Sequence, residues 1–278
     1  MSLPEGFIFS QASLQAYVDC PRLFQLHYVR RKPWPAPAVV PQLDGERHRD
    51  RGRAFHRLLQ QHAQGVPEAT LSGLDLDEDV RRWWGNYLQS PPEDVPDTVV
   101  RAELSLSVPI GGHRLAARYD RVGAEPGARI VVLDWKTGFR PPSRSWLARR
   151  LQTRVYPYVM TLAGAALNGG IAPSPDQVEM IYWYANRPES TVRFAYGADQ
   201  FASDGEYLGS LVGEIDARPN KDWELTRDES RCRHCSYRSL CKRGVEVGSI
   251  GELEDDELGQ GDGWDFDLDL EQVAEVVF

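Results

Sequence analysis

The chain has 278 residues, 41% hydrophobic and 26% charged, enough to bury a full core as one large domain or two modest ones. No apolar run approaches the roughly 20 residues of a membrane span, and the opening MSLPEGFIFS lacks the basic and apolar regions of a secretory signal, so a cytoplasmic location without structural disulfides is expected. The net charge of −9 argues against a nucleic-acid binder only until its distribution is read: 12 of the 41 acidic residues lie from Val245 onward, where there is no Lys or Arg, leaving 29 acidic against 32 basic residues in the body.

In chain order, residues 10–31 read as a helical segment with Ser10 as N-cap and Cys20-Pro21 breaking it. Four prolines in KPWPAPAVVPQLDG (32–45) mark a loop or linker. Helices are predicted at 46–64, carrying His56, and at 77–89, with Trp83, Trp84, Tyr87 and Leu88 on the buried side. The period then changes. TVVRAELSLSVP (98–109) alternates through Ala102, Leu104, Leu106 and Val108, as a half-buried strand does, and strands at 113–122 and 129–136 follow around the turn-rich GAEPGA. A helix at 145–167, strands at 177–185 and 190–196, and a helix near 198–217 complete an α/β pattern with a central mixed sheet flanked by helices. After 245 the chain reads as an acidic flexible tail.

VVLDWKTGFR (131–140) ends a buried strand on Asp134 and Lys136, which share a face because strand side chains alternate. The preceding strand brings Asp120. Two carboxylates suit a hard divalent cation such as Mg²⁺ or Mn²⁺, and a neighbouring lysine can orient water or steady developing negative charge. An ion-paired strand end remains the plain alternative. A symmetric hairpin about 125–126 sets Asp120 opposite Val131, about 10 Å along the strand from Asp134, so a bend is needed to unite the carboxylates. Glu103, on the first strand, is open to a role at this site or to a structural one. Arginines cluster at 47, 49, 51, 53 and 57 and again at 140, 144, 149, 150 and 154, where they can meet phosphates or form solvated helix faces.

The order GRAFHRLL (52–59), ARYDRV (117–122), LDWKTG (133–138) and QTRVY (152–156) resembles the PD-(D/E)XK nuclease superfamily in its RecB-like branch, over roughly residues 10–245. The resemblance implies a restriction-endonuclease-like core and a metal-dependent deoxyribonuclease, with an exonuclease on single-stranded DNA ends as the expected activity. It makes His56, Asp120, Asp134 and the main-chain carbonyl of Trp135 the metal ligands and Lys136 the water-positioning catalytic residue. Gln152 and Tyr156, one helical turn apart, would contact substrate phosphate or brace the lysine. Ala117 departs from the glycine usual before the aspartate, which would tighten substrate access without removing a ligand. Pro157 inside the helix predicts a kink after Tyr156.

The four cysteines are Cys20, Cys232, Cys235 and Cys241, one near the start and three as C-x₂-C-x₅-C. Four thiolates can hold a [4Fe–4S] cluster or a structural Zn²⁺. The one-plus-three layout with Cys-Pro is similar to that of iron–sulfur nucleases of the RecB-like branch, among them AddB-type subunits and CRISPR-adaptation exonucleases, which implies a cluster pinning the N-terminal helix to the C-terminal segment. The expected organisation is an N-terminal helical segment and linker (1–45), a nuclease core (46–220), a cysteine segment (221–245) and the acidic tail (246–278). The competing reading is a catalytically idle DNA-binding or assembly module, against which the full His, Asp, Asp and Lys set argues. No phosphate-binding Walker loop is present, so a helicase or CRISPR integrase would be a separate partner. Work in DNA repair or recombination, or in CRISPR adaptation, is the expected setting.

Overall fold

The computed structural model describes residues 3–32, 40–219, 221–233 and 235–244, with side chains of the helix starting at Val40 described from Arg47. The acidic tail expected at 246–278, most of the proline-rich stretch and His234 lie outside the described residues.

A mixed six-stranded sheet forms the centre: β1 (Ile8–Ser10), β2 (Val99–Ile110), β3 (His113–Glu125), β4 (Arg129–Lys136), β5 (Val178–Tyr184) and β6 (Val192–Ala195). β3 is the hub. It pairs antiparallel with β2 over 113–119 and 121–124, while its other edge is shared between β1, parallel at 114–116, and β4, antiparallel at 121–125. β4 then pairs parallel with β5, and β5 antiparallel with β6.

The β3–β4 register differs from the expected one. The hairpin turns at Glu125–Ala128, closed by the Ala128 N–H on the Glu125 carbonyl at 2.9 Å. Pro126 and Gly127 occupy its centre, with Gly127 at φ 81°, the proline-then-glycine order of a type II turn. Gly123 therefore faces Val131 and Arg121 faces Leu133. The next position on each strand is Asp120 and Asp134, so the two carboxylates are brought level by register alone.

Helices cover both faces. They are α1 (Gln11–Asp19), α2 (Pro21–Phe24), α3 (Val40–Ala63), α4 (Glu68–Ser72), α5 (Glu78–Gln89), α6 (Arg144–Arg149), α7 (Leu151–Ala163) and α8 (Ala198–Asp216). The alternation within β4 explains the layers. Ile130 and Val132 face a core built with Val155 and Val159 of α7 and Leu208 of α8. Val131, Leu133 and Trp135 face a second core with Phe55 and Leu58 of α3 and Trp83 and Tyr87 of α5. The helix expected over 145–167 is divided: Arg150 is extended (φ −70°, ψ 142°), separating α6 from α7, whereas α7 carries Pro157 without ending there.

Ser10 caps α1 through a reciprocal pair with Ser13, and Cys20-Pro21 ends that helix as expected. The two distant chain segments are fastened together: Tyr17 donates to Glu214 and accepts from Arg218, and Gln25 receives the Trp223 N–H while donating to the Lys221 carbonyl. Among the described residues, no helix is long and apolar enough to cross a membrane.

Candidate active site

Between the β1 and β4 pairings, residues 117–120 of β3 have no strand partner on that edge. The site lies at this fork. Asp120 turns into it, and its Oδ2 accepts the Trp135 N–H at 2.8 Å, replacing a ladder bond. On the other side of β3 the ladder with β2 skips a single rung, Glu103 opposite Asp120, with the same register on both sides. Glu103 there has φ 54°, a left-handed conformation costing a non-glycine residue about 1 kcal/mol or more. The kinked rung brings the Glu103 carboxylate to Asp120.

α3 supplies His56. Phe55, Leu58 and Leu59 seat this helix on the β4 face beside Trp135, which places the imidazole over the strand end. Its Nδ1 is 3.3 Å from Asp120 Oδ1 and its Nε2 is 3.1 Å from the Trp135 carbonyl oxygen. One nitrogen, Asp120 and the Trp135 carbonyl were all expected as metal ligands, and they meet here. Among the described residues, His56, Glu103 and Asp120 form a group whose ligand atoms all lie within 4.8 Å of one another. Two carboxylates and an imidazole at this spacing are a donor set that could hold a divalent metal ion.

Asp134 and Lys136 stand alongside, on the α7 face of β4. The Lys136 ammonium lies 2.9 Å from Asp134 Oδ2 and donates to Gln152 Oε1 at 3.1 Å, while Gln152 Nε2 donates to Asp134 Oδ1. The carboxamide thus closes a triangle that fixes both charged groups. Tyr156, one turn further along α7, is buried beside Gln152. Tyr119 of β3 donates to the Tyr156 carbonyl at 3.0 Å and anchors α7 over the fork.

The electrostatics divide the carboxylates. Burial raises the Asp134 carboxyl to about 6 and the Asp120 charge adds to this, although Lys136 opposes both. Burial also acts upward on Asp120, but the charge and hydrogen bond of His56, the Trp135 N–H and Lys136 prevail and hold it below the ordinary value. Glu103 is raised by burial and by Asp120, against its ion pair with Arg118 at 2.7 Å. Three carboxylates crowding one pocket favour a cation among them.

The arginines diverge. Arg51 pairs with Asp77 and Asp79, Arg144 binds the Arg193 carbonyl, and Arg154 is held by buried Asp204 of α8. Arg47, Arg53, Arg57, Arg140 and Arg149 are exposed.

No disulfide joins the four cysteines. Cys20, Cys235 and Cys241 pack on Ala16, Leu23, Leu26 and Tyr237, and Arg243 donates to Cys232 Sγ at 3.2 Å. Burial pushes the Cys235 thiol up to about 12, and the charges of Cys241, Cys20 and Cys232 add to this. The sulfurs therefore neighbour one another across some 210 residues of chain, but they do not form a ligand group as compact as that around His56.

Two contributors escaped the sequence reading. Asn186, just past β5, donates to the Thr137 and Gly138 carbonyls and accepts from the Trp83 indole, fixing the loop after Lys136. Tyr119 is marked in the sequence only as one residue of a strand. Glu103, open in sequence between a site role and a structural one, lies in the group with His56 and Asp120.

A forked mixed sheet between helical layers, with clustered carboxylates and a lysine on the strand end, defines the restriction-endonuclease-like class of nucleases. Residues 8–242 match the PD-(D/E)XK nuclease superfamily, and the chain belongs to it. Among solved structures it is similar to a provisionally named exonuclease from Eubacterium rectale, with 9% identity, a TM-score of 0.49, and coverage of 87% of this chain and 90% of that one. It is also similar to SSO0001, with 11% identity, a TM-score of 0.39, and coverage of 87% and 88%. No curated protein matches.

Proposed function

We propose that this nuclease is a metal-dependent deoxyribonuclease acting as an exonuclease on single-stranded DNA ends, within the RecB-like iron–sulfur branch. The observation that carries the reading is the meeting of His56, Asp120 and the Trp135 carbonyl beside the Asp134–Lys136–Gln152 triangle. His56, Asp120, Asp134 and the Trp135 carbonyl would hold Mg²⁺ or Mn²⁺. Such an ion supplies Lewis-acid polarisation of the phosphodiester and lowers the pKa of its water. Lys136 positions the attacking water and stabilises charge on the phosphoryl oxygens. Gln152 keeps the lysine and Asp134 in register, and Tyr156 braces Gln152.

Cys20, Cys232, Cys235 and Cys241 would hold a [4Fe–4S] cluster, with Zn²⁺ as the alternative. Four thiols drawn from both ends of the fold are the donor type such a group takes, and binding would stabilise the junction of α1 with the C-terminal segment. The 1–45, 46–220 and 221–245 divisions would then be one cluster-stapled unit, with a helicase or CRISPR integrase as partner in the cytoplasm.

End-labelled single- and double-stranded DNA, incubated with Mg²⁺, Mn²⁺ or EDTA, tests the reading. Expected is stepwise shortening of the single strand with either ion and none with EDTA. Binding without cleavage under every ion would instead support the idle DNA-binding module, and cleavage in EDTA would refute the metal assignment.

A further inference from the structure

Three residues beyond Lys136, Phe139 leaves 48% of its surface open, whereas Trp83 and Phe55, to which it is linked through His48, are fully buried. The loop that presents it is not loose, because Asn186 binds the two preceding carbonyls at 2.9 and 3.1 Å. One face of the ring stacks on His48 of α3, with centroids 5.4 Å apart and planes at 26°. His48 meets the fully buried Trp83 edge-on at 5.9 Å, and Trp83 meets Phe55 at 5.8 Å. A file of four rings thus runs from the core to the surface and ends in Phe139, three residues along the chain from Lys136. Exposed arginines flank the file, Arg47 on the helix of His48 and Arg140 next to Phe139.

An outward-facing ring on a rigid support, flanked by cations, has the two components by which unpaired nucleotides are bound: a stacking platform for the base and charge for the backbone. Paired bases in a duplex are already stacked and present no free face to such a ring. The Phe139 and Lys136 Cα atoms can be at most about 10 Å apart, so the base concerned belongs to a nucleotide at or next to the scissile phosphate. We propose that Phe139, backed by His48, is a stacking subsite for an unpaired nucleobase beside the scissile bond, and that it selects single strands over duplex. This rests on the reading of the fork as a nuclease site for single-stranded ends.

The test uses the full chain in Ca²⁺ and fluorescence anisotropy with end-labelled oligonucleotides carrying one abasic residue, moved stepwise from the end. Wild-type protein should bind at least fivefold more weakly when the abasic residue occupies one particular position. Phe139→Ala should bind the intact oligonucleotide with that weakened affinity and become indifferent to the abasic position. Phe139→Trp should restore discrimination, and duplex affinity should be unchanged in all three proteins. Wild-type binding indifferent to abasic residues at every position would overturn the subsite even if single strands are bound and cut. Discrimination retained by Phe139→Ala would also overturn it. No binding or cleavage of single strands by the wild type would bring down the underlying substrate assignment, and the subsite with it.

Discussion

Replacing Asp134 by Asn should stabilise the metal-free protein at pH 8 while destroying its activity. Burial raises this carboxyl from 3.8 to about 6 in the folded chain. Between these values the folded state holds the proton that the unfolded state has released, so stability falls as pH rises through the window, and the full cost is present above pH 6. At about 1.36 kcal/mol per pH unit this cost is about 3 kcal/mol. Asn removes the buried charge but offers one oxygen where Asp134 serves both Gln152 and Lys136, and the lost acceptor subtracts about 1 kcal/mol. A net gain of about 2 kcal/mol corresponds to a Tm increase of roughly 4–8 °C for a domain of this size. Thermal unfolding in EDTA at pH 8 and pH 5 provides the assay. At pH 5 the wild-type group is largely protonated, so the difference should fall below about 1 kcal/mol. Mg²⁺ should then raise the Tm of the wild type but not of the variant. An Asp134→Asn protein no more stable than wild type at pH 8 would refute the burial argument.

Lys136→Ala and Asp134→Ala should abolish cleavage while DNA affinity in Ca²⁺ stays within about twofold, because phosphate contacts spread over the surface dominate binding; cleavage at the wild-type rate in either variant would remove these residues from the site. Glu103→Gln keeps the shape of the kinked rung but weakens its charge, so the Mn²⁺ concentration needed for half the maximal Tm shift should rise about tenfold; an unchanged concentration would leave Glu103 only as the partner of Arg118. Anaerobically purified protein should be brown and absorb broadly near 400 nm, whereas elemental analysis giving one zinc and no iron per chain would decide for zinc. Cys20→Ser and Cys235→Ser should lower the Tm equally, and a silent Cys20→Ser would exclude a site joining both chain segments.

The elements with strong periodicity were readable from sequence: the β2 alternation, the Asp77-capped α5 and the buried β4 lie within a residue or two of expectation. Gln152 against Lys136 was readable too, since helical spacing and resemblance point the same way. Register was not. It depended on whether Glu125-Pro126 or Pro126-Gly127 formed the turn centre, and a symmetric hairpin about 125–126 places Asp120 opposite Val131, three positions from Asp134. Proline with glycine behind it was the local signal that settles this. The break at Arg150 has no proline or glycine to announce it, and Glu103 carries no sign of its left-handed backbone. Both follow from tertiary demands: α7 must turn to face the fork, and the β2–β3 ladder must open at one rung. Asn186 acts through a loop 48 residues from the carbonyl it binds, a separation no local pattern spans.

The start of α7 has a further implication for anyone wishing to excise the catalytic region. Arg150 gives this helix no side-chain cap, and the Leu151 N–H is instead taken by Gln15 Oε1, at 3.1 Å, from α1. Gln15 is itself steadied by Asp19, next to Cys20. Gln152, which holds both Lys136 and Asp134, sits in that borrowed first turn. A fragment beginning near residue 46 would contain every proposed metal ligand and the lysine, yet its α7 would start uncapped, a loss of about 1 kcal/mol concentrated on the turn that aims Gln152 at Asp134 and Lys136. Trimming the first twenty residues is therefore equivalent to an active-site lesion made without altering a single active-site side chain.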